Sequence, residues 1–476
     1  MTQSFISDVK RLSLCASFLF VAACAQNSGG GGVAGSASSC IQPEDIDMAI
    51  QQSFAVAPVS GGNSLLMAQL PNLKEDFSIL QADLQHEDAS AKIQKINDQT
   101  VAIDIAFNSP AKSIIERFVS QKRITHIEAD AETFGIQPSE SRDSDDESSA
   151  QSMDLGLQPS SLATQQQAQA ESGQPIIVAV IDSGVDYNHK ALAPYIWKNA
   201  KEIAGNGKDD DGNGYVDDVM GWDFANNDNQ PMADDVQTYH GTHVAGIVKM
   251  ASKLVEKGLN IKIMALKYLN SQSAGRTSNA IRAIEYAVKN GAIILNNSWG
   301  SFSYSAALFE AIQKARQART LFVAAAGNDG ANTDRTPFYP AAYALNNIIS
   351  VAAVDDQGVM AGWSNFGALN VDLGAPGVQI RSTSNNNSYK IQSGTSMAAP
   401  YVSGVAAMLW ASRPDLSFAE IRKVIYSSVR KGVSLAGKTV TGGFINPSEA
   451  AQVASAYQHD PNDLGMPELA PNFCTN

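Results

Sequence analysis

Short runs of apolar residues alternate with stretches of helical spacing from Gln174 to about residue 455. The apolar runs are residues 176–181, 261–266, 292–295, 321–325 and 348–354, and the helix-spaced stretches are residues 277–289 and 305–319. Strands that are apolar throughout are typical of a parallel sheet covered by helices on both faces. The pattern therefore predicts an α/β domain with a doubly wound, mainly parallel sheet. In such sheets, functional sites assemble beyond the carboxyl ends of the strands.

The region from residue 41 to 135 has a different pattern and predicts a small α+β domain. Residues 100–105 alternate as a half-buried strand does, and residues 111–119 have helical spacing. Residues 139–150 are dense in Ser, Asp and Glu and cannot bury enough apolar surface to fold. We expect an exposed linker over residues 136–152, the α/β domain over 153–455 and an irregular tail over 456–476.

The N-terminus carries the pattern of an export signal in residues 1–24. Lys10-Arg11 precedes an apolar run, residues 12–23, that is too short to span a bilayer. The residues before Cys24 resemble a bacterial lipoprotein box, in which Cys24 is lipidated, and the same stretch also fits ordinary signal cleavage. The small, Gly-rich residues 25–40 suit a flexible tether. We expect a cell-envelope lipoprotein (outer membrane or cell surface) or a secreted protein.

Charge and cysteine content exclude some function classes. The 476 residues carry a formal net charge of −14, which argues against nucleic acid as a partner because phosphate binding needs Lys and Arg. The four cysteines include no Cys-x-x-Cys pair, so a structural zinc site is not expected. A disulfide between Cys40 and Cys474 stays open as an alternative to two unpaired thiols.

Three segments combine the side chains that serine-based catalysis needs. Asp182 ends the first buried strand, His240 opens a small-residue stretch (His-Gly-Thr-His-Val-Ala-Gly), and Ser396 lies in Gly-Thr-Ser-Met-Ala-Ala-Pro. A serine is unreactive until a base removes its proton, and the base needs a carboxylate to hold its tautomer. Each residue alone has an ordinary structural explanation, such as a turn or a helix cap. The combination predicts a catalytic site, with His243 in a structural role.

These segments closely resemble the motifs of the subtilisin family of serine peptidases, over roughly residues 153–455. The resemblance implies that Asp182 orients, His240 is the general base and acid, and Ser396 is the nucleophile. Asn328, in Ala-Ala-Ala-Gly-Asn, resembles the oxyanion-binding asparagine. The remaining residues implied in substrate binding are Ser298, Trp299 and Gly300 on one wall of the P1 pocket, and Ala325 and Gly327 on the other.

The resemblance also implies a zymogen that acts on proteins and peptides. Residues 41–135 would be an inhibitory prodomain, and an unrelated N-terminal domain is the alternative. We expect the prodomain to be cleaved within the acidic linker, where nicking is easiest. Phe338 occupies a place where relatives carry a small residue at the base of the P1 pocket, so the pattern favours small P1 residues. A monomer is expected.

An insertion between Asp182 and His240 resembles an EF-hand-like calcium loop. Residues 209–218 read Asp-Asp-Asp-Gly-Asn-Gly-Tyr-Val-Asp-Asp. Oxygen side chains at alternating positions suit Ca²⁺, although the twelfth position is Met220 instead of a glutamate. The predicted ligands of a stabilising ion are Asp209, Asp211, Asn213, the Tyr215 carbonyl and Asp217. A solvated acidic turn is the alternative.

Two other functions compete with an exported, calcium-stabilised serine endopeptidase. A binding protein on an inactive scaffold is disfavoured because the three motifs and Asn328 are intact. A calcium-dependent adhesion module would lose partner binding without calcium and would not respond to a serine-directed inhibitor.

Overall fold

The computed structural model describes residues 48–49, 63–106, 109–136, 140–143, 175–235, 238–254, 259–460 and 463. The predicted export signal, the tether, the Cys40–Cys474 pair, residues 153–174 and most of the tail lie outside the described residues. None of the helices in the described ranges combines the length and apolar composition that a membrane span requires.

A nine-stranded sheet forms the centre of the larger domain, and five of its strands, β7, β9, β11, β13 and β14, overlap the five predicted apolar runs. Its order is β18-β19-β15-β14-β13-β11-β7-β9-β8, and every neighbouring pair is parallel except β18 and β19. The predicted α/β, mainly parallel fold is thereby confirmed. The strands are β7 (Ile176–Asp182), β8 (Gly221–Asp223), β9 (Ile261–Lys267), β11 (Ile294–Asn297), β13 (Leu321–Ala325), β14 (Ile348–Val354), β15 (Leu373–Pro376), β18 (Arg430–Lys431) and β19 (Gly443–Phe444).

Successive residues of a strand point to opposite faces of the sheet, so strands that are apolar throughout need helices on both faces to cover them. In β7, Val178 and Val180 join one apolar cluster, while Ile177, Ala179 and Ile181 join the other. The first cluster includes α3 (His240–Ala251), α6 (Thr395–Ser412), α7 (Phe418–Ser427) and α8 (Pro447–Ala456). The second includes α4 (Thr277–Lys289) and α5 (Ala306–Gln317).

Helix α6 begins at Thr395, one residue before Ser396, and its first turn is buried. All its residues from Thr395 to Trp410 are buried. Pro400 has no N–H to donate to the carbonyl of Ser396 four residues earlier. The Ser298 hydroxyl donates to that carbonyl instead, at 3.0 Å. This contact ties the nucleophile's backbone to the segment after β11.

The N-terminal region folds as a four-stranded antiparallel sheet of order β2-β3-β1-β4. Its strands are β1 (Asn63–Gln69), β2 (Lys92–Lys95), β3 (Thr100–Ala106) and β4 (His126–Ala129). The helices α1 (Leu73–Glu87) and α2 (Lys112–Ser120) pack with the sheet in one apolar core. The alternating residues 100–105 lie in β3, and the helix-spaced residues 111–119 match α2.

The chain leaves β4 and forms further strands against the larger domain. Strand β5 (Glu132–Gly135) lies between β10 (Ala274–Arg276) and β12 (Trp299–Gly300). Strand β6 (Glu140–Asp143) pairs antiparallel with β17 (Ser388–Ser393), which also pairs with β16 (Ile380–Ser384). Residues 140–143 were expected in an exposed linker. Pairing with a distant strand supplies the backbone hydrogen bonds that local composition cannot predict.

Candidate active site

Asp182 and His240 meet at the carboxyl end of β7. His240 Nδ1 lies 2.8 Å from Asp182 Oδ1, and this aspartate is fully buried. The Ser183 amide donates to the same carboxylate oxygen at 2.7 Å. A buried carboxylate bonded to Nδ1 holds the imidazole with its proton on Nδ1 and Nε2 as the basic atom.

Close packing brings the start of α3 against the turn after β7. A Cβ on Gly241 would lie 2.2 Å from the carbonyl oxygen of Gly184, so only glycine permits this approach. His240 is the first residue of α3 and is therefore held beside Asp182. Its Nε2 is buried and has no hydrogen-bond partner within the described ranges. This nitrogen is therefore available to accept a proton.

The hydroxyl of Ser396 contacts a peptide carbonyl of the same chain. Its Oγ lies 2.9 Å from the carbonyl oxygen of Ile136 and 3.4 Å from that of Ser298. The hydroxyl donates to these carbonyls instead of to His240. Ile136 follows directly after β5, so the end of the N-terminal region lies at the nucleophile. The contact is a hydrogen bond to the carbonyl oxygen, so attack on the carbonyl carbon requires the hydroxyl to turn its proton towards His240.

Asn328 is fixed beside the same helix start. Its Oδ1 accepts hydrogen bonds from Thr395 N at 3.0 Å and Thr395 Oγ1 at 2.9 Å. These bonds orient the side-chain amide so that its nitrogen lies on the side of Gly394, where a Cβ would be 3.2 Å away. The start of α6 adds the partial positive charge of a helix N-terminus.

Strand β5 pairs with both walls of a cleft that ends at Ser396. Phe134 and Gly135 pair with Gly300 and Trp299 on one side, and Glu132 to Phe134 pair with β10 on the other. The Ile136 amide donates to the Ser298 carbonyl at 3.2 Å. The segment 298–300 thus contacts an extended segment of the same chain through its backbone.

The ring of Phe338 packs against Gly300 and Gly327, two glycines of the predicted P1 pocket. A Cβ on Gly300 would lie 2.4 Å from this ring, and a Cβ on Gly327 would lie 3.3 Å from it. Ala325 ends β13 beside Gly327 and is fully buried. Phe338, Ala325 and Ile136 belong to one apolar cluster, in which Ile136 is buried. These contacts place the Phe338 ring against Gly300 and Gly327, and Ile136 is buried in the same apolar cluster.

Two carboxylates of the N-terminal region cap helices of the larger domain. Glu128 accepts from Ser305 Oγ at 2.7 Å and from the Ala306 amide at 2.9 Å, at the start of α5. Asp130 accepts from the Ser278 amide at 2.9 Å and its hydroxyl at 2.6 Å, in the first turn of α4. Negative charge at a helix N-terminus satisfies unpaired amides and the helix dipole.

The acidic loop brings three carboxylates together, and one of them lies outside the predicted motif. Single carboxylate oxygens of Glu202, Asp209 and Asp211 lie within 4.8 Å of one another. Glu202 Oε1 accepts from the amides of Asp210 and Asp211, while its buried Oε2 has no hydrogen-bond partner in the described residues. A buried carboxylate oxygen with no donor, beside two other carboxylates, fits a hard cation.

The other predicted ligands hold the loop's own conformation. Both Asp217 oxygens accept backbone amides, from Asn206 at 3.1 Å and Gly207 at 2.8 Å. Asn213 donates from Nδ2 to Asp218 at 2.8 Å and accepts from the Tyr215 amide. The Tyr215 ring packs edge-on against Trp222, Phe224 and Tyr286.

His243 is buried one helical turn after His240. Its Nε2 donates to the Lys390 carbonyl at 3.0 Å. Burial lowers its pKa to about 3, so this imidazole is neutral near pH 7. A neutral histidine bonded to the backbone fits the structural role that the sequence predicted.

The described residues supply a nucleophile, a base and an amide donor at one cleft, which are the groups that acyl transfer requires. Fold and site therefore point to the class of serine hydrolases.

Comparisons with known proteins agree with this class. The model of the subtilase family matches residues 173–452. Subtilisin DY from Bacillus licheniformis is 34% identical over 308 residues, which cover 64% of this chain and 100% of the relative. The thermophilic serine proteinase of Bacillus sp. (strain AK1) is 38% identical over 283 residues, covering 59% of this chain and 62% of the relative. The chain belongs to the subtilase family.

Other relatives are much longer proteins. Subtilisin-like protease 1 of Plasmodium falciparum (isolate 3D7) is 31% identical over 304 residues, which cover 58% of this chain and 43% of that protein. The match thus spans less than half of the Plasmodium protein, and the relation is one of catalytic domains.

Sequence patterns missed Glu202 and the segment 128–136. Glu202 precedes the calcium-like motif, and only the folded loop brings it to Asp209. Residues 132–136 lack strong strand alternation. They form a strand by pairing with residues more than 130 positions away along the chain, which a local pattern does not show. The end of the predicted prodomain at residue 135 was the available signal for where the cleft contact lies.

Proposed function

We propose that this protein is a serine endopeptidase that hydrolyses peptide bonds through an acyl-enzyme on Ser396. The observation that carries the proposal is the contact of Ser396 Oγ with the Ile136 carbonyl, next to the Asp182–His240 pair. His240 Nε2 takes the serine proton as Oγ bonds the carbonyl carbon, and Asp182 stabilises the charged imidazole. The Asn328 amide and the Ser396 backbone N–H stabilise the oxyanion.

The remaining steps use the same groups in reverse. Collapse of the tetrahedral intermediate breaks the C–N bond, and His240 gives its proton to the leaving amine. A water that loses its proton to His240 then attacks the ester. The bond between the acyl carbon and Oγ breaks, and His240 returns the proton to Ser396 Oγ as the acid leaves.

Casein hydrolysis by the purified protein in calcium buffer tests this function, with Ser396→Ala as the matched variant. Hydrolysis by the parent and none by the variant is expected. Activity in neither protein, together with calcium-dependent binding to a partner, would favour the binding-scaffold or adhesion alternatives.

We infer that the protein is made as a zymogen whose N-terminal region, ending at Ile136, is an inhibitory prodomain. Strand β5 fills the cleft between β10 and β12, where substrate would bind. The scissile bond of self-processing would be Ile136–Gln137, because the Ile136 carbonyl contacts the nucleophile. This bond lies at the start of the expected linker, residues 136–152, ahead of its acidic stretch 139–150.

Small to medium aliphatic P1 residues are the proposed preference. Ile136 is buried in the same apolar cluster as Phe338, and the Phe338 ring lies against Gly300 and Gly327, where a large aromatic side chain would need space. Because the Phe338 ring takes up part of the pocket volume, a larger P1 side chain would overpack the pocket.

A stabilising calcium ion is proposed at Glu202, Asp209 and Asp211. The donors are hard oxygens, and the unpaired Glu202 Oε2 is the atom that needs a cation. An ion there would tie the loop 202–218 together and would supply stability instead of chemistry.

Calcium removal should therefore lower the melting temperature. A ligand at 100 times its Kd stabilises the folded state by about 2.7 kcal/mol, so calcium should raise Tm by several degrees. Glu202→Gln should lose most of this calcium-dependent shift, whereas Glu449→Gln, at an exposed site on α8, should keep it. A full shift in the Glu202→Gln variant, measured by calorimetry with and without EDTA, would contradict the site.

Export, with lipid attachment at Cys24, is also proposed, and it rests on the N-terminal sequence alone. Labelling with a fatty acid in cells should modify the parent and leave Cys24→Ser unmodified. An unlabelled parent would favour ordinary secretion.

A further inference from the structure

Strand β5 buries one polar side chain in the cleft, that of Thr133. This residue lies three positions before Ile136, at P4, and its side chain is almost fully buried. Its Oγ1 lies 3.2 Å from the Tyr268 hydroxyl and 3.2 Å from the Gly275 carbonyl oxygen. A carbonyl oxygen only accepts, so when Thr133 donates to Gly275, the Tyr268 hydroxyl donates to Thr133. The threonine hydroxyl thus has a donor and an acceptor in the cleft wall.

Tyr268 is held rigidly in that wall. It follows β9 directly, is fully buried, and its ring packs edge-on against Trp299 at 5.0 Å between centroids. Strand β10 crosses the ring so closely that a Cβ on Gly275 would lie 2.7 Å from it. Burial raises the pKa of Tyr268 well above its usual value, so the phenol keeps its proton as a hydrogen-bond donor.

The Tyr268 hydroxyl needs a partner from the bound peptide. No residue other than Thr133 bonds this hydroxyl within the described ranges. With the cleft empty, water can fill that place. A peptide that binds as β5 does, but with valine in place of threonine, would exclude the water and leave the phenol unpaired. Valine has the same shape as threonine, so the hydroxyl is the difference that matters.

We propose that Tyr268 makes the cleft selective for protein substrates with a hydroxyl side chain, threonine above all, at P4. The inference rests on the proposed peptidase function and on β5 binding as a substrate does. Sites built to bond a hydroxyl reject analogues that lack it more strongly than apolar pockets reject a missing methylene. The cost of one unpaired buried group corresponds to about 5- to 100-fold in kcat/KM for threonine over valine.

Two internally quenched peptides with the sequence of residues 131–141 test the proposal. They differ only in threonine or valine at the position of Thr133. The enzyme is the full-length protein after self-processing, compared with Tyr268→Phe and with Tyr426→Phe, a control that removes a phenol hydroxyl on α7. We expect the parent and the control to prefer the threonine peptide by about 5- to 100-fold. In the Tyr268→Phe variant this preference should fall to the smaller part that the bond to the Gly275 carbonyl supplies.

Equal cleavage of the two peptides by the parent would overturn the proposal. Retention of the full preference in Tyr268→Phe would also overturn it, because another group would then be the source. If Tyr268→Phe does not fold, a serine–alanine pair at P4 repeats the comparison with the parent alone, and equal rates contradict the proposal. Casein cleavage without cleavage of either peptide would reject the recognition sequence, whereas failure on casein as well would reject the peptidase function.

Discussion

At the scale of single residues, Ser396 has to meet two requirements. Its hydroxyl must reach a substrate carbonyl, and its own carbonyl must be satisfied although Pro400 cannot donate to it. Ser298 solves the second problem with its hydroxyl, and its backbone carbonyl accepts from the Ile136 amide. One residue therefore links the position of the nucleophile to the position of the bound peptide.

Phe338 should set the P1 preference of the enzyme. Phe338→Ala removes the ring between Gly300 and Gly327, so cleavage after phenylalanine should rise relative to cleavage after isoleucine by about tenfold or more. Peptide libraries that vary only P1 give this ratio for the parent and the variant.

Phe302→Ala is a neighbouring control, because this half-exposed ring contacts Phe338 edge-on at 5.1 Å from outside the pocket wall. It should change the ratio much less. A parent enzyme that already prefers phenylalanine or leucine at P1 would contradict the role of Phe338.

At the scale of elements, the N-terminal region binds the larger domain through helix starts and strand edges. Glu128 and Asp130 complete the first turns of α5 and α4, and β5 continues from them into the cleft. Backbone pairing gives β5 its place, while the caps fix where β4 ends. Inhibition should therefore depend on contacts outside the cleft as well as within it.

Removing either cap should weaken inhibition by the processed prodomain. A lost capping carboxylate costs about 0.5–2 kcal/mol, so Glu128→Ala and Asp130→Ala should each weaken binding by about 2- to 30-fold. Activity appears when the processed protein is diluted and the prodomain dissociates, and the variants should become active at higher protein concentration than the parent.

Glu116→Ala is the matched control, because this partly exposed glutamate lies on α2 and pairs with Lys112 inside the N-terminal region. It should behave as the parent does. Parent-like dilution curves for both cap variants would show that the caps add nothing to inhibition.

Inhibition by the prodomain should also weaken as pH rises. Burial raises the pKa of Glu285 on α4 from 4.5 to about 7, with Asn97 and Asp98 of the N-terminal region and Lys314 of α5 facing it. Burial also raises the pKa of Asp130. Dissociation of the proposed prodomain should expose Glu285 and lower its pKa. Its effect therefore favours the complex fully below about pH 4.5, and the advantage is lost as pH rises through about 7.

Dilution curves at pH 5 and pH 8 measure this dependence. The prodomain should dissociate more readily at pH 8, and Glu285→Gln, which cannot ionise, should reduce the difference between the two pH values. Tighter inhibition at pH 8, or an unchanged difference in the variant, would contradict the role of Glu285.

At the scale of the whole molecule, the sequence predicts the strands and site residues that are determined by a local pattern of residues. The apolar runs gave the central strands, and the motifs around Asp182, His240 and Ser396 gave residues that the fold brings to one edge of the sheet. Strands β5 and β6 could not be predicted, since their partners lie far away in sequence. Glu202 escaped prediction for the same reason, because only the closed loop brings it to Asp209.

The most direct test of the account is where the chain cuts itself. Full-length protein and Ser396→Ala are incubated in calcium buffer, and intact masses and new N-termini are measured. The account predicts that the parent yields a second chain beginning at Gln137, while Ser396→Ala stays a single chain. A parent that stays uncut, a first cut within residues 139–150, or equal cutting in Ser396→Ala would contradict it.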